Sequence, residues 1–160
     1  MGVIKRYAPE VGPGFNTLAA GQPSSNISQT KNVVVSLTAA QIIAMGTTPI
    51  TVIPAPGTGL AIIVDEIVVE LVLTATAFTT GGVVHFYYHG QTTELMAQTL
   101  AAATVNGAAG TTVWQLEPAQ TAGGNVITPA VGVDITNATA PFAAGTGTMK
   151  LFIRYRTITL

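Results

Sequence analysis

The longest β-type run in the chain is the stretch from Ile50 to Thr74, ITVIPAPGTGLAIIVDEIVVELVLT. A short apolar strand and a Pro/Gly corner precede a longer half in which side chains alternate. One side of this half is apolar except for one acid: Ile63, Asp65, Ile67, Val69, Leu71 and Leu73. The other side alternates valine with acid: Val64, Glu66, Val68, Glu70, Val72 and Thr74. The pattern predicts a long strand in the centre of a sheet, with one buried and one half-covered face.

Charged residues are scarce in this chain. Six basic and seven acidic residues make up 8% of its 160 residues and leave a net charge of −1, whereas about 25% is usual in globular domains. A monomer with so little charge would be poorly soluble, but a subunit whose surface is covered by neighbours needs less. The composition therefore favours a component of an assembly, and it gives no broad basic field for nucleic acid.

Several classes of protein are disfavoured by what the sequence lacks. There is no cysteine, which excludes disulfides and thiolate metal sites. Apolar stretches are interrupted by acids well short of the ~20 residues that a spanning helix needs. The opening MGVIKRYAPE has no apolar core of a signal peptide. We therefore expect no membrane association.

Residues 1–31 form a separate N-terminal segment, which contains three prolines and four glycines and has no sustained period. This predicts an extended, irregular arm rather than part of the folded domain. Two interpretations stay open: a floppy terminus, or an arm that lies on a neighbouring molecule. The second interpretation gives these contact residues: Ile4, Lys5, Arg6, Tyr7 and Phe15.

A short helix is predicted directly after a first strand, Asn32–Leu37. Thr38 and Gln41 have the spacing of a capping box, and Leu37 and Ile42 have that of a hydrophobic staple. The helix should run from Ala39 to Met45, and Gly46 should end it in the left-handed conformation.

The rest of the chain reads as strands. The predicted strands are Val83–His89, Thr112–Glu117, Asn125–Thr128, Val131–Thr136 and Thr146–Leu160. Residues 94–103 suit either a two-turn helix, which we favour, or an irregular strand. The last strand should face Met149, Leu151, Ile153 and Tyr155 inward and Lys150, Phe152, Arg154 and Arg156 outward. Residues 32–160 are therefore predicted to form one all-β domain of about eight strands, an antiparallel jelly-roll-like β-sandwich with one short helix.

Possible catalytic or metal sites are weak in the sequence. His85, Tyr87 and His89 share a strand face, but histidines four residues apart lie ~13 Å apart along a strand, too far for one ion. Glu66 and Glu70 are equally far apart, beyond the separation of a glycosidase pair. No serine stands in a G-x-S-x-G elbow. We predict no enzyme, no metal and no cofactor.

The outward face of the last strand combines basic residues with Phe152. A single-stranded nucleic-acid site is one interpretation, and pairing of Arg154 and Arg156 with Glu66 and Glu70, within one subunit or between subunits, is the other. We favour pairing, because three charges are few for nucleic acid.

The order of several segments, over roughly residues 36–160, resembles a recurrent type of tailed-phage virion protein. The segments are SLTAAQIIAM, TPITVIPAPGTG, a long strand, AFTTGGVVHFYYHG and VDITNATAPFAAGTGTMKLFIRYRTITL. In such chains a capped short helix precedes a Pro-Ala-Pro-Gly-type corner, and a Gly-Thr-Gly lead opens the last strand. The resemblance implies a jelly-roll decoration or cement protein, often trimeric, that binds the major capsid protein on the virion surface and has no catalytic residues.

Under this interpretation the capsid or subunit interface comprises the arm residues together with Phe152, Arg154 and Arg156. The alternative is a receptor- or carbohydrate-binding module of a phage tail, fibre or baseplate. Trp114 is the only tryptophan, and its place in an alternating strand suits a core or an interface better than a sugar platform.

Overall fold

The computed structural model describes residues 30–120, 126–137 and 140–160. The predicted arm therefore lies outside the described residues except for its last two positions, and so do its five contact residues. Within the described ranges the chain is all-β with two short helices. The elements are β1 (Lys31–Thr38), α1 (Ala39–Ala44), β2 (Ile50–Ile53), β3 (Leu60–Leu73), β4 (Thr79–Thr80), β5 (Val84–Tyr88), α2 (Ala102–Val105), β6 (Gly110–Leu116), β7 (Val133–Asn137), β8 (Phe142–Ala143) and β9 (Gly147–Thr159).

Two antiparallel sheets form the domain. The larger has the strand order β1-β9-β3-β6, and the smaller has the order β2-β7-β5. A two-stranded ribbon joins β4 to β8. Successive long strands alternate between the sheets, so that β1, β3, β6 and β9 lie in one and β2, β5 and β7 in the other. This winding confirms the predicted jelly-roll-like sandwich.

One hydrophobic core lies between the sheets. Its largest buried side chains include Phe86 of β5 and Ile67 of β3. A polar contact also crosses the core, because the buried hydroxyl of Tyr88 donates to the carbonyl of Ile62 at 2.5 Å. Burial raises the pKa of Tyr88 to about 12, since the phenolate would lose its hydration there.

The central strand β3 follows the predicted alternation only in its second half. From residue 67 to residue 73 the predicted face is buried. In the first half the faces are exchanged: Ile62 and Val64 are buried, whereas Ile63 and Asp65 are half-exposed. The prediction that Ile63 and Asp65 lie on the buried side is therefore wrong.

A β-bulge causes this exchange. Val64 lies opposite Tyr155 and Glu66 lies opposite Arg154, so Asp65 is an extra residue with no partner of its own on β9. An extra residue in one strand turns all preceding side chains to the other face. The bulge keeps the Asp65 carboxylate out of the core.

Helix α1 has the predicted N-terminal cap. Thr38 Oγ1 accepts from the Gln41 amide at 3.4 Å, and Gln41 Oε1 accepts from the Thr38 amide at 2.9 Å. Leu37 and Ile42 are both buried, as the hydrophobic staple requires. The capping box is confirmed.

The predicted role of Gly46 is wrong, because this glycine is not in the left-handed conformation. A Cβ atom at this position would overlap the Asn137 side chain and would lie 2.8 Å from Pro141 Cα. Gly46 therefore permits a close approach of two segments.

The favoured helix over residues 94–103 is also wrong. The Leu95 amide donates to the Phe86 carbonyl at 2.9 Å, and Leu100 forms an isolated bridge with Val84. The segment is an irregular strand beside β5, because its backbone groups bind neighbouring chain rather than one another. Only the last residues of the predicted range enter α2.

The other strands lie near their predicted places, with one exception. Of the predicted strand 125–128, residue 125 lies outside the described residues and residues 126–128 have no regular structure, while the nearby Pro129 forms an isolated bridge with Ala61. The inward and outward alternation of β9 is confirmed, except that Tyr155 and Arg156 are both half-buried.

Candidate interaction surfaces

The outer surface of the four-stranded sheet, which we call the open face, is the first candidate. It is formed by the side chains that alternate with buried residues along all four strands. They are Asn32, Val34 and Ser36 of β1; Lys150, Phe152 and Arg154 of β9; Glu66, Val68 and Glu70 of β3; and Thr111, Val113 and Gln115 of β6.

An apolar row spans three of the four strands of the open face. Phe152 lies opposite Val34 on one side and opposite Val68 on the other. Val34 is 56% exposed and Phe152 is 41% exposed, and Val113 at the far edge is 59% exposed. Large exposed apolar side chains on one surface are typical of contact sites.

The charges of the open face are paired across β3 and β9. The pairs and their N···O distances are Arg154 Nη1–Glu66 Oε2 at 3.3 Å, Arg156 Nε–Asp65 Oδ1 at 3.3 Å and Lys150 Nζ–Glu70 Oε2 at 3.9 Å. The predicted pairing of Arg154 with Glu66 is confirmed. The predicted partner of Arg156 is wrong, because the bulge presents Asp65 to it instead.

Two of these pairs have different supporting contacts. The Glu66 carboxylate also accepts a short hydrogen bond from the side-chain amide of Gln115 on β6, so this carboxylate joins three strands. The buried Nε of Arg156 makes no hydrogen bond, and its contact with Asp65 is therefore electrostatic. Because Lys150, Arg154 and Arg156 each lie beside an acidic side chain, they do not form a cluster of unpaired positive charges.

Of the predicted interface residues, Phe152 and Arg154 lie together on the open face, and Arg156 is the next residue on the same side of β9. The arm residues Ile4, Lys5, Arg6, Tyr7 and Phe15 lie outside the described residues. Trp114 is half-buried and packs against the core from β6, as expected for a core or interface residue.

The outer surface of the three-stranded sheet is the second candidate. His85 Nδ1 lies 2.6 Å from Glu94 Oε2, and the other Glu94 oxygen accepts from the Phe86 amide at 3.0 Å. The imidazole stacks on Tyr87, with ring centroids 5.2 Å apart. Burial, and then the negative charge of Glu94, raises the pKa of Tyr87.

A second histidine–carboxylate pair stands at the end of β5. His89 Nδ1 lies 2.7 Å from Asp134 Oδ2, and the Thr51 hydroxyl donates to Asp134 Oδ1 at 2.8 Å. Asp134 is buried, whereas the His89 side chain is 68% exposed. The carboxylate thus ties β2, β7 and the end of β5 together. Sequence reasoning missed Asp134, for which the available signal was an acid within the apolar strand VGVDIT.

These pairs resemble fragments of catalytic sites without assembling one. A nucleophile relay needs a hydroxyl on the imidazole and a carboxylate behind it. Here the Thr51 hydroxyl donates to the carboxylate itself, and the His89 side chain is mostly exposed to solvent. Within the described ranges no group of three or more His, Asp or Glu residues is placed to hold a metal ion.

In the part of the chain that the structure describes, no helix is long and apolar enough to cross a membrane. In comparisons with known proteins, no family model and no curated protein matches this sequence.

Proposed function

We propose that this protein is a structural virion protein that binds the outside of a tailed-phage capsid and decorates or cements neighbouring capsomers as a homotrimer. The observation that carries the proposal is the open face. It presents Val34, Phe152 and Val113 to solvent in a chain with only 8% charged residues. An assembly that covers this face removes the apolar area from water.

The electrostatics of the open face support a protein partner. In each of the three ion pairs the basic charge is neutralised by the neighbouring acid. Binding of a nucleic acid would require basic side chains without acidic partners, which could replace the counterions of its phosphates. A protein partner, such as the major capsid protein or a second copy, has no such requirement.

The N-terminal arm is the proposed attachment segment. It joins the folded domain at Lys31, the first residue of edge strand β1. Fully extended, this length reaches on the order of 100 Å. Ile4, Tyr7 and Phe15 are the proposed anchors on the capsid, with Lys5 and Arg6 supplying charge.

No enzymatic role is proposed. The two histidine–carboxylate pairs have a structural explanation, because each fixes an element to the three-stranded sheet. Asp134 joins three segments of that sheet, and Glu94 holds the irregular segment against β5.

Deletion of residues 2–30 tests the proposal. The shortened chain should remain folded by circular dichroism, because the core lies within the described domain. It should, however, co-sediment less with capsids from the corresponding phage stripped of this protein. A full-length chain carrying Val126→Lys, a change at an exposed valine, is the matched control and should bind normally. Equal binding by the shortened chain would remove the arm from the attachment mechanism, and absence of binding by the full chain would contradict the function.

A further inference from the structure

Both edges of the four-stranded sheet are open among the described residues. Among the described strands β1 pairs with β9 alone and β6 with β3 alone. The irregular segment binds the chain just beyond β6, where the Ala97 amide donates to the Glu117 carbonyl at 2.7 Å, and it leaves Gly110–Leu116 uncovered. Edge strands expose unpaired backbone N–H and C=O groups, and proteins normally protect them with charges, prolines, bulges or covering segments. Strand β6, GTTVWQL, contains no charge and no proline, and most of its side chains are exposed.

The edges of the smaller sheet are protected, in contrast. The irregular segment lies along β5, through the bridge from Val84 to Leu100 and the hydrogen bond from Leu95 to Phe86. Strand β2 has only four residues and a register irregularity. Among the described residues the two edges without a covering segment are thus the opposite borders of one sheet, and their lengths match at eight residues for β1 and seven for β6.

We propose that β6 of one copy pairs with β1 of the next copy, which extends the sheet from subunit to subunit. Every neighbouring pair in the sheet is antiparallel, so β1 and β6 run in opposite directions. A second copy in the same orientation therefore offers its β1 antiparallel to β6, as a continuous antiparallel sheet requires.

One register matches the side chains on both faces. Val113 of β6 and Val34 of β1, the most exposed apolar residues of the two strands, then lie opposite each other on the open face. On the inner side, half-buried Trp114 lies opposite half-buried Val33 of the next copy. β-Branched and aromatic cross-strand pairs are the favourable ones in sheets.

Head-to-tail pairing is favoured over pairing of β6 with itself. A twofold β6–β6 contact would leave β1 and Val34 open in each copy. A head-to-tail contact covers both edges, and it leaves no free edge once the ring closes. The inference rests on the proposed self-association, which supplies the number of copies, three.

Engineered disulfides test this pairing in isolated protein. The chain has no cysteine, so the double variant Val34→Cys/Val113→Cys holds the only two thiols. Within one copy three inter-strand spacings, about 14 Å, separate β1 from β6, which is too far for a disulfide. Any disulfide between these positions therefore joins two copies.

We expect mild oxidation of the double variant to give covalent dimers and trimers on a non-reducing gel. Each single variant should stay monomeric on that gel, and so should the control Val34→Cys/Val126→Cys, whose second site is a 77% exposed valine outside the sheets. Dimers from Val113→Cys alone would show β6–β6 pairing and overturn the inference. A double variant that gives no covalent oligomers would overturn it equally.

A charge variant gives an independent readout. Val113→Lys places an edge-protecting charge at the contact and should shift sedimentation from trimer to monomer, whereas Val126→Lys should leave the trimer intact. Trimers that survive Val113→Lys would contradict the pairing. Capsid binding is measured separately: cross-linking without capsid binding refutes the proposed function alone, and capsid binding without cross-linking refutes this interface alone.

Discussion

Two phenylalanines and a glycine pack closely at the ribbon of β4 and β8, and adding one methyl group to the glycine should lower the stability of the fold. Phe78 and Phe142 are both buried and meet edge to face, with ring centroids 6.1 Å apart. Gly81 has a φ of +84°, and a Cβ atom there would overlap the Phe142 ring. Gly81→Ala should therefore add backbone strain and overpacking at once.

A second glycine separates the two costs. Gly90 has a φ of +76°, but a Cβ atom there would have no neighbour within 4 Å. A left-handed non-glycine residue costs about 1–2 kcal/mol, and overpacking of a core costs about 1–3 kcal/mol more. Gly90→Ala should thus lower the free energy of unfolding by about 1–2 kcal/mol and Gly81→Ala by about 2–5 kcal/mol.

Urea denaturation at one fixed protein concentration measures both variants. The fixed concentration is needed because self-association contributes to the apparent stability. The difference between the variants is the informative quantity, since the loss of glycine's freedom in the unfolded chain is common to both. Equal losses of unfolding free energy in the two variants would refute the described packing of Phe142 on Gly81.

Three further predictions concern polar contacts. Burial raises the pKa of Tyr88 to about 12 from 10.0, so the unfolded chain releases this proton at lower pH than the folded chain, and the free energy of unfolding should fall from pH 10 to pH 12. The variant Tyr88→Phe should flatten that part of a plot of urea midpoint against pH. An unchanged plot would contradict the raised pKa of Tyr88. Arg154→Gln should cost less than about 1 kcal/mol in the same assay, because its pair with Glu66 is half-exposed, and a larger loss would show that the pair is more than a surface contact. Asp134→Ala should cost about 1–3 kcal/mol by removing the acceptor of His89 and of a threonine hydroxyl, and a variant as stable as the parent would exclude a structural role.

The local features of the fold were predictable where neighbouring residues decide them. The cap of α1 depends on Thr38 and Gln41, three residues apart, and was correctly predicted. The alternation of β9 was also visible, because one face of that strand is core and the other is solvent. The jelly-roll winding followed from the number of strands and the turns between them.

Features that depend on distant residues were not predictable. The bulge at Asp65 depends on the register against β9, which no local pattern reports. The segment 94–103 has helical spacing of its buried Met96 and Leu100, yet its backbone groups form hydrogen bonds with β5 and with the residues that follow β6. The partners of both histidines were missed for the same reason, since Asp134 lies 45 residues from His89.

The candidate surface was predicted in part. The outward position of Phe152 and Arg154 followed from alternation alone. Their neighbours Val34 and Val113 were not identified, because only the strand order β1-β9-β3-β6 brings them to the same face.

Electron cryo-microscopy of intact particles, with and without this protein, would locate the protein on the particle. We expect additional density of three copies at repeated positions on the outer surface of the head. This density should be lost from particles that lack the chain and restored by adding the purified protein. Density confined to the tail, fibre or baseplate would instead support the receptor- or carbohydrate-binding alternative and would contradict a capsid decoration protein.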